Sequence, residues 1–178
     1  MLRASVLAFA WLICTSIGFA QEGPPSAQPG PAHAELKKVA GTWDAVMKMA
    51  GAPEPMPGVA TYKMGLGGLW LVSDFKMDVP DFKFEGHGLD GYDQHKKKYV
   101  AVWVDSMSSA PMFMEGTYDE KTKTQTMTGE GPGHDGKLQK FKTVTRTKDD
   151  DHFQFEMLMV AADGKETSAF TIDYTRRK

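Results

Sequence analysis

The sequence predicts an all-β domain, an antiparallel up-and-down barrel of about ten strands preceded by a short helix. From Gly41 onward, short runs of alternating apolar and polar residues recur about every dozen positions, separated by turn residues. The spacing between turns leaves no room for the crossover helices that parallel strands require. Consecutive hairpins in a small domain must close or form two sheets to protect their edges, so a two-sheet β-sandwich is the alternative.

Residues 1–20 have the features of a secretory signal peptide. A basic start, Met1 to Arg3, precedes an apolar run from Ala4 to Phe19, and small residues at Gly18 and Ala20 fit a cleavage site. A membrane anchor is the alternative, but the run is short for a span of ~20 residues and a proline-rich stretch follows it. We therefore expect cleavage after Ala20 and an exported protein, periplasmic or extracellular.

Cleavage changes the chemistry available to the mature chain. It removes Cys14, the only cysteine, so a disulfide or a cysteine ligand is not expected. The formal charge of −2 becomes −3 when Arg3 is lost with the signal. This near-neutral balance gives no electrostatic reason to expect a nucleic-acid partner, and no membrane span is predicted after cleavage.

Residues 21–34, QEGPPSAQPGPAHA, are predicted to form a tether because proline removes backbone donors and glycine adds conformational entropy. The next segment, AELKKVA from Ala34 to Ala40, places Leu36 and Val39 on one helical face. Gly41 ends this short predicted helix. A single barrel domain is then expected over residues 35–178.

Ten strands are predicted, and turn chemistry separates them. Asp135–Gly136 and Asp163–Gly164 suit tight hairpins because these residues tolerate positive φ, whereas residues 65–68 and 106–111 suit wider loops. The strands are predicted near residues 42–49, 58–65, 69–78, 83–93, 97–106, 110–118, 123–130, 137–147, 152–161 and 166–176.

Eight short motifs follow one another in order along the predicted barrel. They are GTW (41–43), GYD (91–93), KKKYVAVWVDSM (96–107), EGTYDEKTKT (115–124), GE (129–130), DHFQFEM (151–157), ADGKE (162–166) and DYTRR (173–177). Together they resemble the bacterial domain of unknown function 1579 family, from about Leu36 to the end of the sequence. The resemblance implies a calycin-like barrel, related in shape to lipocalins and fatty-acid-binding proteins. It implies no reaction, because the family has no settled activity.

Methionine is unusually frequent, and of the 12 methionines only Met1 falls in the predicted signal. Flexible, polarisable side chains suit an interior that adapts to an irregular apolar guest, although methionine also fills ordinary cores. A barrel of about eight to ten strands can enclose a small ligand, so both interpretations stay open. The apolar pocket candidates are Trp43, Met64, Met114, Phe155 and Met157.

The predicted hairpin around residue 108 supplies polar candidates. If Ala101 lies opposite Glu115, two aromatic and two acidic side chains come together: Trp103, Phe113, Asp105 and Glu115. Such a set could hold a polar ligand head or act as an acid–base pair. A register slip of one residue would separate it. The family resemblance adds two candidate acids, Glu130 and Glu156.

No metal or cofactor is predicted. His87, Asp90, Asp93 and His95 lie close together in the sequence, but two glycines interrupt them and the spacing matches no recognised zinc site. Neither His87 nor His152 has a feature that marks a haem ligand.

Three functions remain in order of preference. The first is an exported soluble protein that binds a small apolar or amphipathic ligand inside the barrel. The second is an enzyme that uses at least two converging carboxylates among Asp105, Glu115, Glu130 and Glu156. The third is a protein-interaction module whose outer face presents Val100, Val102 and Val104. The sequence leaves the ligand and the oligomeric state open.

Overall fold

The computed structural model describes residues 27–178 except residues 53, 81 and 134–136. The predicted signal peptide, the first part of the predicted tether and the predicted turn at Asp135–Gly136 lie outside the described residues.

The described chain forms a closed barrel of ten antiparallel strands. The predicted barrel is therefore confirmed, and the sandwich alternative is wrong, because the first strand pairs with both the second and the last. The elements are α1 (Pro31–Lys38), β1 (Gly41–Met49), β2 (Met56–Gly65), a 3-10 turn (Leu66–Gly68), β3 (Trp70–Val79), β4 (Phe82–Asp93), β5 (Lys98–Asp105), β6 (Met112–Asp119), β7 (Thr124–Pro132), β8 (Leu138–Asp149), β9 (His152–Val160) and β10 (Glu166–Arg176).

Helix α1 begins at Pro31, earlier than the predicted start at Ala34. Proline at the first helical position has a suitable φ and lacks a donor that would be unpaired there. Gly30 caps the helix in an extended conformation, and its backbone N–H donates to His33 Nδ1 at 2.9 Å. The last residues of the predicted tether, 31–34, are thus helical.

Helix α1 covers one end of the barrel, called here the capped end. Leu36 is buried against a cluster on the inner face of three strands. Since apolar burial contributes about 1.5–3 kcal/mol for a large side chain, this contact fixes the helix over the barrel. The members of the cluster are Leu36, Leu71, Tyr99, Ala101 and Met127.

Aromatic side chains fill the barrel next to the capped end. Phe153 stacks on Tyr174 with ring centroids 4.3 Å apart and meets the edge of Trp43 at 4.7 Å. Phe153 and Met157 are buried, as expected from the alternation in β9, and Phe155 between them is half-buried. Offset and edge-to-face pairs add about 0.5–1.5 kcal/mol beyond their burial.

Two hairpin turns at the capped end have the same construction. In each, an aspartate ends the strand, and its Oδ1 accepts the backbone N–H groups of the second and third residues after it. The fourth residue has a left-handed backbone. The aspartates are Asp93 and Asp119, and the left-handed residues are Lys97 (φ 55°) and Lys123 (φ 50°). The backbone hydrogen bonds lower the pKa of both aspartates.

Candidate functional site

The pairing of β5 with β6 places Ala101 opposite Met114, one residue away from the expected partner Glu115. The expected grouping of aromatic and acidic side chains is therefore wrong. Side chains alternate across a strand, so Trp103 and Asp105 face the interior while Phe113 and Glu115 lie on the outer face. The connection over residues 106–111 lacks a two-residue turn that would fix the register from sequence.

Glu115 is held by lysines on the outer face. Its carboxylate accepts a hydrogen bond from Lys96 Nζ at 3.1 Å and a shorter one from Lys98 Nζ. The hydrogen bond from Lys98, followed by that from Lys96, lowers the pKa of Glu115. This carboxylate is thus stabilised in its ionised form and does not face the barrel interior.

The other two candidate glutamates also lie on the outer face. Glu130 Oε1 is 4.0 Å from Lys140 Nζ, its partner across β7 and β8. Glu156 Oε2 accepts a hydrogen bond from Arg146 Nη1 at 3.0 Å. These pairs do not converge with Asp105 in a cleft, so the structure gives no support to an acid–base site made from the four candidates.

Trp103 and Asp105 form a fixed pair on the inner face of β5. Trp103 Nε1 donates to Asp105 Oδ2 at 2.8 Å, and Asp105 Oδ1 accepts the Met107 N–H at 2.9 Å. The indole lies against Gly86 and Gly88 of β4, where added Cβ atoms would approach it to 2.2 Å and 3.3 Å. Glycine at these positions therefore lets the indole lie flat on the neighbouring strand.

The five apolar candidates all face the barrel interior, at different depths. Trp43 is only 2% exposed, and its Nε1 donates to Val39 O at 2.9 Å, so it joins the first strand to the helix. Met64 and Met114 pack at the capped end, whereas Met157 is buried and Phe155 is half-buried. They do not form one continuous pocket lining.

Large apolar side chains at the end opposite α1 are only half-buried. Phe82 and Phe84 stack with centroids 6.4 Å apart, and Phe155 lies 5.9 Å from Phe170. We call this set the open-end ring: Met56, Phe82, Phe84, Trp103, Phe155 and Phe170. These side chains face inward and remain partly exposed to solvent at this end.

Asp90 is a half-buried carboxyl group on the inner face that the sequence does not single out as an interior acid. It lies on the inner face of β4, between Leu71 of β3 and Ala101 of β5. Burial raises its pKa to about 7. The signal was present in β4, where Phe84, Gly86, Gly88 and Asp90 alternate with outward residues, but aspartate usually faces solvent.

Two tyrosines extend the polar part of the interior. The side chains of Tyr62 and Tyr174 are joined by a hydrogen bond. Burial raises the pKa of both, and the charges of Tyr174 and Asp90 raise that of Tyr62 further. Tyr62, Tyr174 and Asp90 are called here the inner polar cluster.

The histidines considered from sequence lie on the outside of the barrel. His87 Nδ1 is 2.6 Å from Asp74 Oδ1, and His152 Nδ1 is 2.8 Å from Asp149 Oδ1. Across the described residues, no group of three or more histidine, cysteine, aspartate or glutamate side chains is arranged to hold a metal ion. The described part of the chain also contains no helix with the length and apolarity to cross a membrane.

The fold and the site define a closed antiparallel β-barrel protein with one helix-covered end. Residues 28–176 match the family model described as protein of unknown function (DUF1579), and the chain belongs to that family. The crystal structure of Rv2717c from M. tuberculosis is similar, with a TM-score of 0.59 and 12% identity over 84% of this chain and 99% of that chain. At this identity the likeness shows the fold alone. Comparison with curated proteins gives no match.

Proposed function

We propose that this is an exported protein that binds a small apolar or amphipathic molecule inside its barrel, entering through the open-end ring. The observation that carries the proposal is the incomplete burial of this ring. Apolar surface removed from water contributes roughly 25 cal/mol per Å², so a ligand that covers these side chains gains free energy. The phenyl and indole groups give a rigid apolar lining, and Met56 adds a flexible one.

The opposite end of the barrel supports a single direction of entry. Helix α1 covers the capped end through Leu36, and Trp43 is sealed beneath it. A ligand that enters at the open-end ring would therefore meet the inner polar cluster before it reached the helix. This arrangement favours an elongated molecule with an apolar part near the entrance.

Binding is tested with N-phenylnaphthylamine, whose fluorescence rises in apolar surroundings. The protein without residues 1–20 should bind this probe saturably. Phe84→Arg should weaken binding by about tenfold or more, because it puts a charge into the ring. Phe113→Arg is the matched control, since Phe113 is 61% exposed on the outer face. Absence of saturable binding, or equal losses in the two variants, would refute the proposal.

Export is tested separately in cells of the source organism. Mass spectrometry of the purified protein should find Gln21 at its N-terminus, in agreement with cleavage after Ala20. Recovery of a chain that still begins at Met1 from the cytoplasm would refute export. Native mass spectrometry of the same sample should show a bound small molecule.

A second candidate function, protein interaction, rests on an apolar row across the outer face. Val72, Leu89, Val102 and Phe113 are successive cross-strand neighbours from β3 to β6. Leu89 and Phe113 are 41% and 61% exposed, and a groove of about 280 Å³ adjoins Val102 and Phe113. Exposed apolar surface of this kind is used in protein contacts.

The variants described above also test this second function. An interaction through the outer row predicts that a partner captured by the unaltered protein is lost with Phe113→Arg and retained with Phe84→Arg. The reverse pattern, or capture that neither variant changes, would refute it.

A further inference from the structure

Asp90 is an interior carboxyl group without a partner among the described residues. It makes no hydrogen bond and no ion pair with them. Asp105, the other acid on the inner face of β4 and β5, is held by the Trp103 indole and the Met107 N–H. Buried carboxylates are normally paired or hydrogen-bonded, so an unpaired one is a feature to be explained.

The carboxyl group of Asp90 is only half-buried. Directly across from it on β5 lies the small residue Ala101, whereas the position above Gly88 on its own strand is occupied by Ser73 and Trp103. Asp90 is half-buried, and no buried side-chain oxygen of the described residues is left without a hydrogen-bond partner. Because Asp90 has no such partner, its carboxyl oxygens are not fully buried.

The groups around Asp90 include no cation. The titratable side chains on the inner face near it are Tyr62 of β2, Tyr92 of β4, Tyr99 of β5 and Tyr174 of β10. From the helix, His33 packs against the Tyr92 ring with centroids 6.2 Å apart.

Arg176 is the inner-face cation of the described strands, and it is engaged elsewhere. Its guanidinium lies over Trp43 and donates to Ala40 O and Lys38 O. Among the described strands, no inner-face cation is therefore left to pair with Asp90.

We propose that Asp90 binds a protonated amine at the end of an apolar ligand, a specificity that rests on the ligand-binding function proposed above. The amine would form a charge-assisted hydrogen bond with the carboxylate, while the apolar chain extends towards the open-end ring. The amine supplies the positive charge that Asp90 lacks as a partner in the protein alone. Cationic amphiphiles are thus the favoured ligand class, ahead of alcohols and fatty acids of the same length.

The test compares decylamine, decanol and decanoate as competitors of N-phenylnaphthylamine at about pH 8, where decylamine is cationic. Decylamine should displace the probe at a concentration about tenfold or more below that of the other two. Asp90→Asn should remove this advantage and retain displacement by decanol. Asp74→Asn, a change on the outer face of β3, is the matched control and should keep the advantage.

Repeating the competition at lower pH with the unaltered protein tests the proposal in a way that does not depend on how the variant folds. Since burial raises the pKa of Asp90 to about 7, the advantage of decylamine should shrink when the pH is lowered to about 5.5. Equal displacement by decylamine and decanol at about pH 8 would overturn the amine specificity and leave the proposed function standing. Failure of the probe and of all three competitors to bind would overturn both.

Discussion

The guanidinium carbon of Arg176 lies 4.1 Å from the centroid of the Trp43 indole, joining the last strand of the barrel to the first. The same guanidinium donates hydrogen bonds to three backbone carbonyls, Ala40 O at 2.8 Å, Lys38 O at 2.8 Å and Asp150 O at 2.9 Å. One side chain therefore connects the end of α1, the β8–β9 turn and the barrel seam.

Arg176→Ala should lower the free energy of unfolding by about 2–3 kcal/mol, because it removes these hydrogen bonds and the cation–π contact together. Arg176→Lys should retain only part of the stability that Arg176→Ala loses, since an ammonium group lacks the planar fork of donors that reaches several carbonyls. Urea denaturation measures the change. Arg177→Ala, at an exposed pair with Asp44, is the control and should leave the free energy of unfolding almost unchanged.

Asp90 should make the protein less stable as the pH rises. Its pKa is raised from 3.8 to about 7 on folding, so the folded state binds the proton more tightly than the unfolded state. The contribution of Asp90 to the free energy of unfolding is therefore largest below about pH 4. Between about pH 4 and pH 7 it falls by a total on the order of 4 kcal/mol, and above that pH it is constant.

Asp90→Asn isolates this effect from the other titrating groups. The stability of the variant relative to the unaltered protein should increase between about pH 4 and pH 7, as measured by urea denaturation at each pH. Carboxylates with lowered pKa, such as Asp173, titrate in both proteins and cancel in the difference. A difference that does not change with pH would contradict an interior Asp90.

Gly88 and Ser73 face each other on neighbouring strands with no room for another carbon. A Cβ at Gly88 would lie 2.3 Å from Ser73 Oγ and 3.3 Å from the Trp103 ring. Gly88→Ala should lower the free energy of unfolding by about 1–3 kcal/mol. Adding Ser73→Ala should recover part of the loss, and a double-mutant cycle measures this coupling. Strict additivity would show that the two positions are not in contact.

The left-handed lysines of the two similar turns should tolerate glycine. Lys97→Gly and Lys123→Gly should each raise the free energy of unfolding by up to about 1 kcal/mol, because glycine relieves the left-handed backbone and offsets its greater entropy in the unfolded chain. Lys121→Gly, in the same turn as Lys123 but without a positive φ, should lower stability instead. Thermal unfolding of the three variants compares them directly.

Strand identity was readable from the sequence because each strand alternates and ends at a turn signal. The predicted strand at 166–176 coincides with β10, and the predicted strand at 152–161 differs from β9 by one residue. The helix start differs from the prediction because a proline-rich run favours a tether, whereas Pro31 here occupies the first helical position.

The candidate site was less predictable, because it depends on register and on depth inside the barrel. A shift of one residue between β5 and β6 moved Glu115 to the outer face, where Lys96 and Lys98 hold it. The sequence does not distinguish Asp90 from other acids, since its place between Leu71 and Ala101 depends on strand pairing that the sequence does not specify.

The seam between β1 and β10 also governs the order of assembly. Its partners, from Trp43 with Arg176 to Met49 with Phe170, are among the most distant pairs in the chain. During synthesis, β1 keeps an unpaired edge until β10 has left the ribosome, so ring closure comes last and is expected to be slow. A nascent chain of this kind keeps its barrel open, and therefore threadable through a narrow channel, until β10 has been synthesised.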